Sequence, residues 1–167
     1  MQRACDIILS LSALIALLPL FGVVSIFLLM SGEGEIFYKQ ERIGKNGNIF
    51  KLYKFATMLK NSPNLGTGTI TTKNDPRILP FGRLLRKTKI NELPQLLNIL
   101  IGDMSVIGPR PLTKQTFEAY SAETQKVIVQ ARPGLSGIGS IIFRGEEDLL
   151  TREDKSMDDY QNIIAPY

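Results

Sequence analysis

From Ile7 to Met30 the chain carries no charged residue, and most positions are Ile, Leu, Val, Ala or Phe. A helix needs roughly 20 consecutive apolar residues to cross a bilayer. The stretch "ACDIILSLSALIALLPLFGVVSIFLLMSGEGE" is therefore long enough to do so. A secretory signal is the competing reading, but the run is too long for one and no small-x-small cleavage pattern follows it before Glu33. The bases beyond it, Lys39, Arg42, Lys45, Lys51 and Lys54, place the C-terminal body in the cytoplasm by the positive-inside rule. Pro19 stands near the middle of the run, where it removes one backbone donor and bends a helix. Two geometries follow: a tilted or kinked span with its N-terminus outside, or a helix that bends at Pro19 and returns, keeping Arg3 and Asp6 on the cytoplasmic side. A mere kink in an anchor is the plainer account of Pro19. The expected division is a membrane-associated helix over 1–32, broken near Pro19, and a cytoplasmic domain over 33–167.

The chain has 167 residues, enough for one core but not for two. It has no histidine and one cysteine, Cys5, which excludes a zinc site, a histidine general base and a disulfide framework. Any metal must be held by oxygen, as Mg²⁺, Mn²⁺ or Ca²⁺. A net charge of +4 suits an anionic partner: nucleic acid, a phospholipid surface or a phosphorylated substrate. Nucleic acid is the weakest of these, because the bases interleave with an apolar pattern and no DNA- or RNA-binding motif is recognisable.

Past the apolar run, "EIFYKQERIGKNGNIFKLYKFATML" alternates apolar and polar residues around Lys45-Asn46-Gly47-Asn48, which predicts a β-hairpin. "NSPNLGTGTITTKNDPRILP" predicts a mobile loop, and "FGRLLRKTKI" a short amphipathic helix of the kind that lies on an anionic interface. "NELPQLLNILIG" predicts a second helix stopped by Gly102. "KQTFEAYSAETQKVIVQA" is helical by pattern, "RPGLSGIGSIIFRG" reads as a turn feeding a strand, and the charged tail after it as helix. The expected fold class is a mixed α/β chain, mainly helical, behind a re-entrant or spanning N-terminal membrane helix.

Pro94 suits the first turn of a helix, where its missing N–H has no acceptor to lose. That places Asn91 and Glu92 at a helix N-terminus. Capping explains both: Asn is among the best N-caps, and a carboxylate is favourable near the positive helix end. The functional alternative rests on their neighbours. A helix N-terminus binds anions, Arg86 precedes it, and Glu92 has the chemistry to hold a divalent cation against a diphosphate. Arg110, between Pro109 and Pro111, is framed as a guanidinium fork suited to phosphate. Its plainer account is a brace on Asp103.

"RKTKINELPQLLNILIGDMSVIGPRP" resembles the signature of the bacterial sugar transferases, the small monotopic phosphoglycosyl transferases. "RACDIILS…LLPL" is similar to the family's membrane helix with its central proline. "FKLYKFATM" is similar to its Lys-Phe-Arg-x-Met stretch, "NDPRI" to its Asp-Pro-Arg turn, and "RPGLSGIGSIIFR" to its Arg-Pro-Gly…Arg element, all in the family's order. The resemblance implies a re-entrant helix broken at Pro19 and an interfacial site on the cytoplasmic face of the bacterial inner membrane. It implies Mg²⁺-dependent transfer of a phosphosugar from a UDP-sugar to undecaprenyl phosphate, with release of UMP. Membrane lipids are implied as partners, nucleic acid is not, and a homo-oligomer is compatible with the reading. By the same resemblance Glu92 is the metal ligand, and Arg86, Arg110 and Arg144 bind phosphate.

The family's pair at positions 91–92 is Asp-Glu, with the Asp as nucleophile; here position 91 is Asn, whose neutral amide does not form an acyl-phosphate. Ala56 stands where the family has Arg, Phe143 where it has Gly, and Ile138 and Ser140 where it has Trp and Gln. The chain also stops at Tyr167, short of the family's usual C-terminal helical region. Three accounts of Asn91 remain: an engineered substitution that traps substrate, a natural variant using Glu92 or direct attack by the lipid phosphate, or an inactive homologue. The last would be a catalytically impaired scaffold or substrate-binding protein.

Overall fold

The computed structural model describes residues 1–31, 33–65 and 75–137. Its first element, α1 (Gln2–Ser31), takes in the whole apolar run and carries Pro19 inside it. The expected break is not a gap in the helix. A proline deletes a single rung of the ladder, and in an apolar segment with every other backbone pair satisfied that is too little to end the helix.

One face of α1 lies against the rest of the chain along its length. Arg3, Asp6, Ser10, Ala13, Leu14, Leu17, Leu20, Phe21, Val24 and Leu28 recur at the three- and four-residue spacing of a single helix face. Ala13, Leu14 and Leu17 pack on a core of Phe50, Leu52, Leu96, Ile99 and Met104. Farther along, Leu20, Phe21, Val24 and Leu28 pack with Phe55, Leu85, Ile36, Phe81 and Ile90. The opposite face stays bare: Ile8, Leu11, Ile15, Leu18, Val23, Ile26, Leu29 and Met30 are all exposed. Both ends of α1 thus touch the same body.

The hairpin forms as expected from β1 (Phe37–Ile43) and β2 (Ile49–Phe55), antiparallel, in register from Phe37 opposite Phe55 to Ile43 opposite Ile49. Its turn uses Asn46 at φ 59° and Gly47 at φ 77°, the left-handed region that these two residue types tolerate best. After the hairpin come α2 (Pro80–Lys87), a 3₁₀ turn over Ile90–Glu92, and α3 (Gln95–Ile101), which ends at Gly102 with φ 109° as the sequence predicts. The strand β3 (Ser105–Ile107) pairs in parallel with β4 (Gly134–Ser136). Between them the expected single helix is two, α4 (Lys114–Glu118) and α5 (Ala122–Ile128). Thr113 and Ser121 each accept a backbone N–H at the start of one of them, and the second cap is what divides the pattern.

Asn98 docks α3 on the hairpin. It is fully buried, its amide donates to the Lys51 carbonyl at 2.8 Å, and its carbonyl accepts from Tyr53 N at 2.9 Å. It thereby satisfies the free edge of β2 in the manner of a neighbouring strand.

The loop expected to be mobile falls partly on residues 66–74, outside the described residues. Its described flanks are held by Arg77, which pairs with Asp75 at 2.6 Å and donates to the carbonyls of Ser62 and Leu65 at 2.9 and 2.7 Å. Both side chains are nearly fully buried. Removing one partner of such a pair strands the other, at a penalty of about 3–5 kcal/mol. Arg77→Ala is accordingly expected to lower the midpoint of thermal unfolding by several degrees at least, read by near-UV circular dichroism in detergent.

Candidate active site

Strand periodicity sets one wall of the site. Phe50, Leu52 and Lys54 share a face of β2, and their register partners Arg42, Gln40 and Tyr38 share it from β1. The first two of the β2 residues enter the core, so the third is carried inward with them: the Lys54 side chain is only 25 % exposed. Opposite lies the Ile90–Glu92 turn, entered through Lys89 in the left-handed region at φ 59°. Lys54 Nζ stands 3.7 Å from Glu92 Oε1, and Gln95 Nε2 donates to Glu92 Oε2 at 3.4 Å.

Burial disfavours the lysine's charge most; Glu92 opposes that, and the charges of Arg42, Arg110 and Arg86 add to it, bringing its pKa down from 10.5 to about 8. Burial by itself would raise the Glu92 pKa, but Lys54, Lys89, Arg110 and the Gln95 hydrogen bond outweigh it and hold the carboxyl below its ordinary value. Among the described residues, the Lys54–Glu92 pair thus lies within reach of the charges of Arg42, Arg86, Lys89 and Arg110. Such a cluster of basic groups in a partly desolvated cleft suits a polyanion such as a diphosphate.

Of the residues predicted for the site, Arg86, Glu92 and Arg110 come together. Arg86 reaches inward from the last turn of α2, with Nη1 3.9 Å from Met58 Sδ. Arg110 follows β3, and its charge bears on both Lys54 and Glu92. Arg144 lies outside the described residues, as do Ile138, Ser140 and Phe143. Pro19 belongs to α1. The N-cap account of Asn91 does not hold, because α3 starts only at Gln95, its N-cap position is Pro94, and no side chain caps it; Glu92 still lies just ahead of the α3 N-terminus, as its dipole account expects. Asn91 is 5 % exposed and its Oδ1 is buried without a hydrogen-bond partner. An orphaned buried acceptor is rare enough to ask for an explanation. The sequence reading did not assign Lys54 and Arg42 to the site. Their signal was the alternation that carries Phe50 and Leu52 inward.

Among the described residues no group of three His, Cys, Asp or Glu side chains gathers to hold a metal. What is available is the Glu92 carboxylate and the orphaned Asn91 oxygen next to it in sequence. Mg²⁺ at phosphoryl-transfer sites is held by one or two protein oxygens, with waters and substrate phosphates completing its shell. The residues fit that ion on this ground.

The sequence profile of the bacterial sugar transferases matches residues 1–163. The chain belongs to this family. Its relatives include the exopolysaccharide production protein ExoY of Sinorhizobium fredii, 38% identical over 165 residues that cover 90% of this chain and 73% of that protein. The undecaprenyl-phosphate galactose phosphotransferase of Salmonella typhimurium is 34% identical over 166 residues, 91% of this chain and 34% of the relative. The UDP-glucose:undecaprenyl-phosphate glucose-1-phosphate transferase of Escherichia coli is 34% identical over 161 residues, 95% of this chain and 34% of the relative. This sugar transferase chain therefore spans about a third of the length of the latter two.

Proposed function

We propose that this chain transfers a sugar 1-phosphate from a UDP-sugar to undecaprenyl phosphate at the cytoplasmic face of the inner membrane, releasing UMP. The observation that carries the reading is the cleft where Lys54 pairs with Glu92 within reach of the charges of Arg42, Arg86 and Arg110, in a member of this family. It is supported by relatives named as undecaprenyl-phosphate sugar phosphotransferases.

The chemistry is displacement at the donor's β-phosphorus. A phosphate oxygen of the lipid forms a bond to that phosphorus as the bond to the bridging oxygen breaks, and UMP leaves with the bridging oxygen. Arg86 and Arg110 bind the diphosphate and offset the charge on the transferring group, with Arg144 assigned the same role by sequence. Glu92 and the Asn91 oxygen would hold Mg²⁺, which when bound supplies further neutralisation of the diphosphate. Because Asn91 offers no carboxylate nucleophile, the lipid phosphate attacks directly, and positioning and charge carry the rate.

The membrane arrangement belongs to the same proposal. Both ends of α1 rest on one body, so a perpendicular span would drag that body through the bilayer. The helix instead stays in one leaflet, its bare face in lipid and the described residues that follow it at the cytoplasmic surface. This brings the site to the depth of the acceptor's phosphate.

The test is UMP release by the full chain in nanodiscs, given a panel of UDP-sugars, Mg²⁺ and undecaprenyl phosphate. Release that depends on the lipid supports the proposal. Silence with every donor overturns it and leaves a donor-binding homologue, the second reading that Asn91 favours. A UDP-sugar keeps its diphosphate charge between pH 7 and 9, whereas Lys54 is cationic below about pH 8 and neutral above it. Losing one charge-assisted contact is worth about 1.5–3 kcal/mol. Donor affinity is expected to weaken roughly tenfold across that range, and Lys54→Met to flatten the pH profile, both by isothermal titration calorimetry.

A further inference from the structure

Asp6 is a buried carboxylate that the chemistry above does not use. It is 3 % exposed, one turn into a helix otherwise given over to apolar residues. It accepts from Ser105 Oγ at 3.0 Å through each of its oxygens, and from Val106 N at 3.0 Å through Oδ1. Gln2 Nε2 donates to the same Ser105 hydroxyl at 3.1 Å. One turn nearer the N-terminus, the Arg3 guanidinium donates to the carbonyls of Ile99 and Leu100, the latter at 2.7 Å, and so satisfies the open end of α3. The start of α1 is therefore fastened to the segment that leaves the catalytic turn and runs toward Arg110.

That segment transmits position because it is tightly built. Ser105 N donates to Pro133 O at 2.9 Å, Gly108 N to Ser136 O at 3.0 Å, and Gly134 N to Pro109 O at 2.8 Å. A Cβ on Gly134 would stand 2.1 Å from Gly108 N, and one on Gly108 would stand 2.3 Å from Arg132 O, so the two strands touch backbone to backbone. Beyond Arg110, Pro111 O accepts from Arg42 Nη1 at 2.9 Å and Leu112 O from Ile43 N at 2.9 Å. Arg110 is thus held on one side by the hairpin that carries Lys54, and on the other by a strand whose first residues hang on Asp6.

We infer that Asp6 is a positioning residue for the phosphate-binding Arg110, acting through β3, so that seating the membrane helix sets the geometry of the site. The inference rests on the transferase reading only for its kinetic arm. Asp6→Asn keeps the side chain's shape while removing its charge and one acceptor. Ser105→Ala removes the hydroxyl alone and is the milder variant. A displacement of the order of an ångström at a positioned group costs up to about 100-fold. Asp6→Asn is expected to raise KM for the UDP-sugar and lower kcat/KM by about 10- to 100-fold, with a smaller fall in Ser105→Ala. In an Arg110→Ala background the same Asp6 change is expected to move kcat/KM less than about twofold, since the group it positions is gone. A merely structural role for Asp6 would add its full effect on top of Arg110→Ala, and that additivity would overturn the inference.

Amide hydrogen exchange on the full chain in nanodiscs supplies the arm that needs no activity. Faster exchange at Val106 and Gly108 in Asp6→Asn, with Ile99 unchanged, is the expected result; unchanged protection at Val106 overturns the anchor whatever the chain catalyses. Should the parent chain release no UMP, the transferase reading falls by itself. The coupling between Asp6 and Arg110 is then read in UDP affinity, where additivity of the two substitutions again overturns it.

Discussion

Glu92→Gln is expected to lower UMP release by about 10²–10³-fold, the scale on which single electrostatic groups at a reacting centre act. The substitution keeps the side chain's length and an oxygen that Gln95 can donate to, but it deletes the carboxylate charge that faces Lys54, Lys89 and Arg110. Two effects follow. The divalent cation loses its charged protein ligand, so the Mg²⁺ concentration needed for half-maximal rate rises. Lys54 loses the carboxylate that favours its ammonium form, so its pKa falls further below about 8 and donor affinity begins to weaken at lower pH. The check is UMP release as a function of Mg²⁺ and pH for both proteins, with circular dichroism to establish that the fold is kept. A Glu92→Gln protein that retains both the parent rate and the parent Mg²⁺ requirement would remove Glu92 from the chemistry.

The hairpin, α2 and the Gly102 stop were legible because each rests on a local signal: a period of two around Asn46-Gly47, clustered bases, and a glycine where only positive φ closes the helix. The face of α1 was not. Lipid and protein core both select apolar side chains, so hydropathy registers one uniform run where the structure has a packed stripe through Ala13, Leu17 and Val24 and a bare one through Ile15 and Leu18. Only Arg3, Asp6 and Ser10 mark the stripe in the sequence, and their spacing gains meaning once β3 is seen beside it. Arg110 was singled out through its prolines, which act locally. Lys54 went unassigned because its role depends on register across the hairpin and on the approach of the Ile90–Glu92 turn, a contact between residues far apart in sequence. The cap assigned to Asn91 failed because a 3₁₀ turn intervenes before α3, and propensity does not distinguish that turn from a first helical turn.

Asn91→Asp is expected to change the order of events more than the rate. With the amide in place, UMP appears only when the lipid acceptor is present, because the attacking oxygen belongs to the lipid. A carboxylate at this position is a competent nucleophile toward phosphorus, so the variant is expected to release about one UMP per site in a burst without acceptor and then stall until undecaprenyl phosphate is added. The new charge enters a position that is 5 % exposed and adjacent to Glu92, and both facts raise its pKa. Lys54, Arg86 and Arg110 oppose that rise, and below about pH 8 Lys54 contributes its full charge. The burst should therefore be largest near neutral pH and shrink on the alkaline side as the lysine loses its proton. Rapid-quench counting of UMP against enzyme, with and without lipid, checks this. A burst confined to Asn91→Asp, beside lipid-dependent turnover in the parent, fits a cleft that serves either route, with position 91 choosing between them. Activity in the variant alone would make position 91 the single lesion in an otherwise intact transferase. An acceptor-independent burst in the parent chain would refute direct attack by the lipid and require a nucleophile other than residue 91.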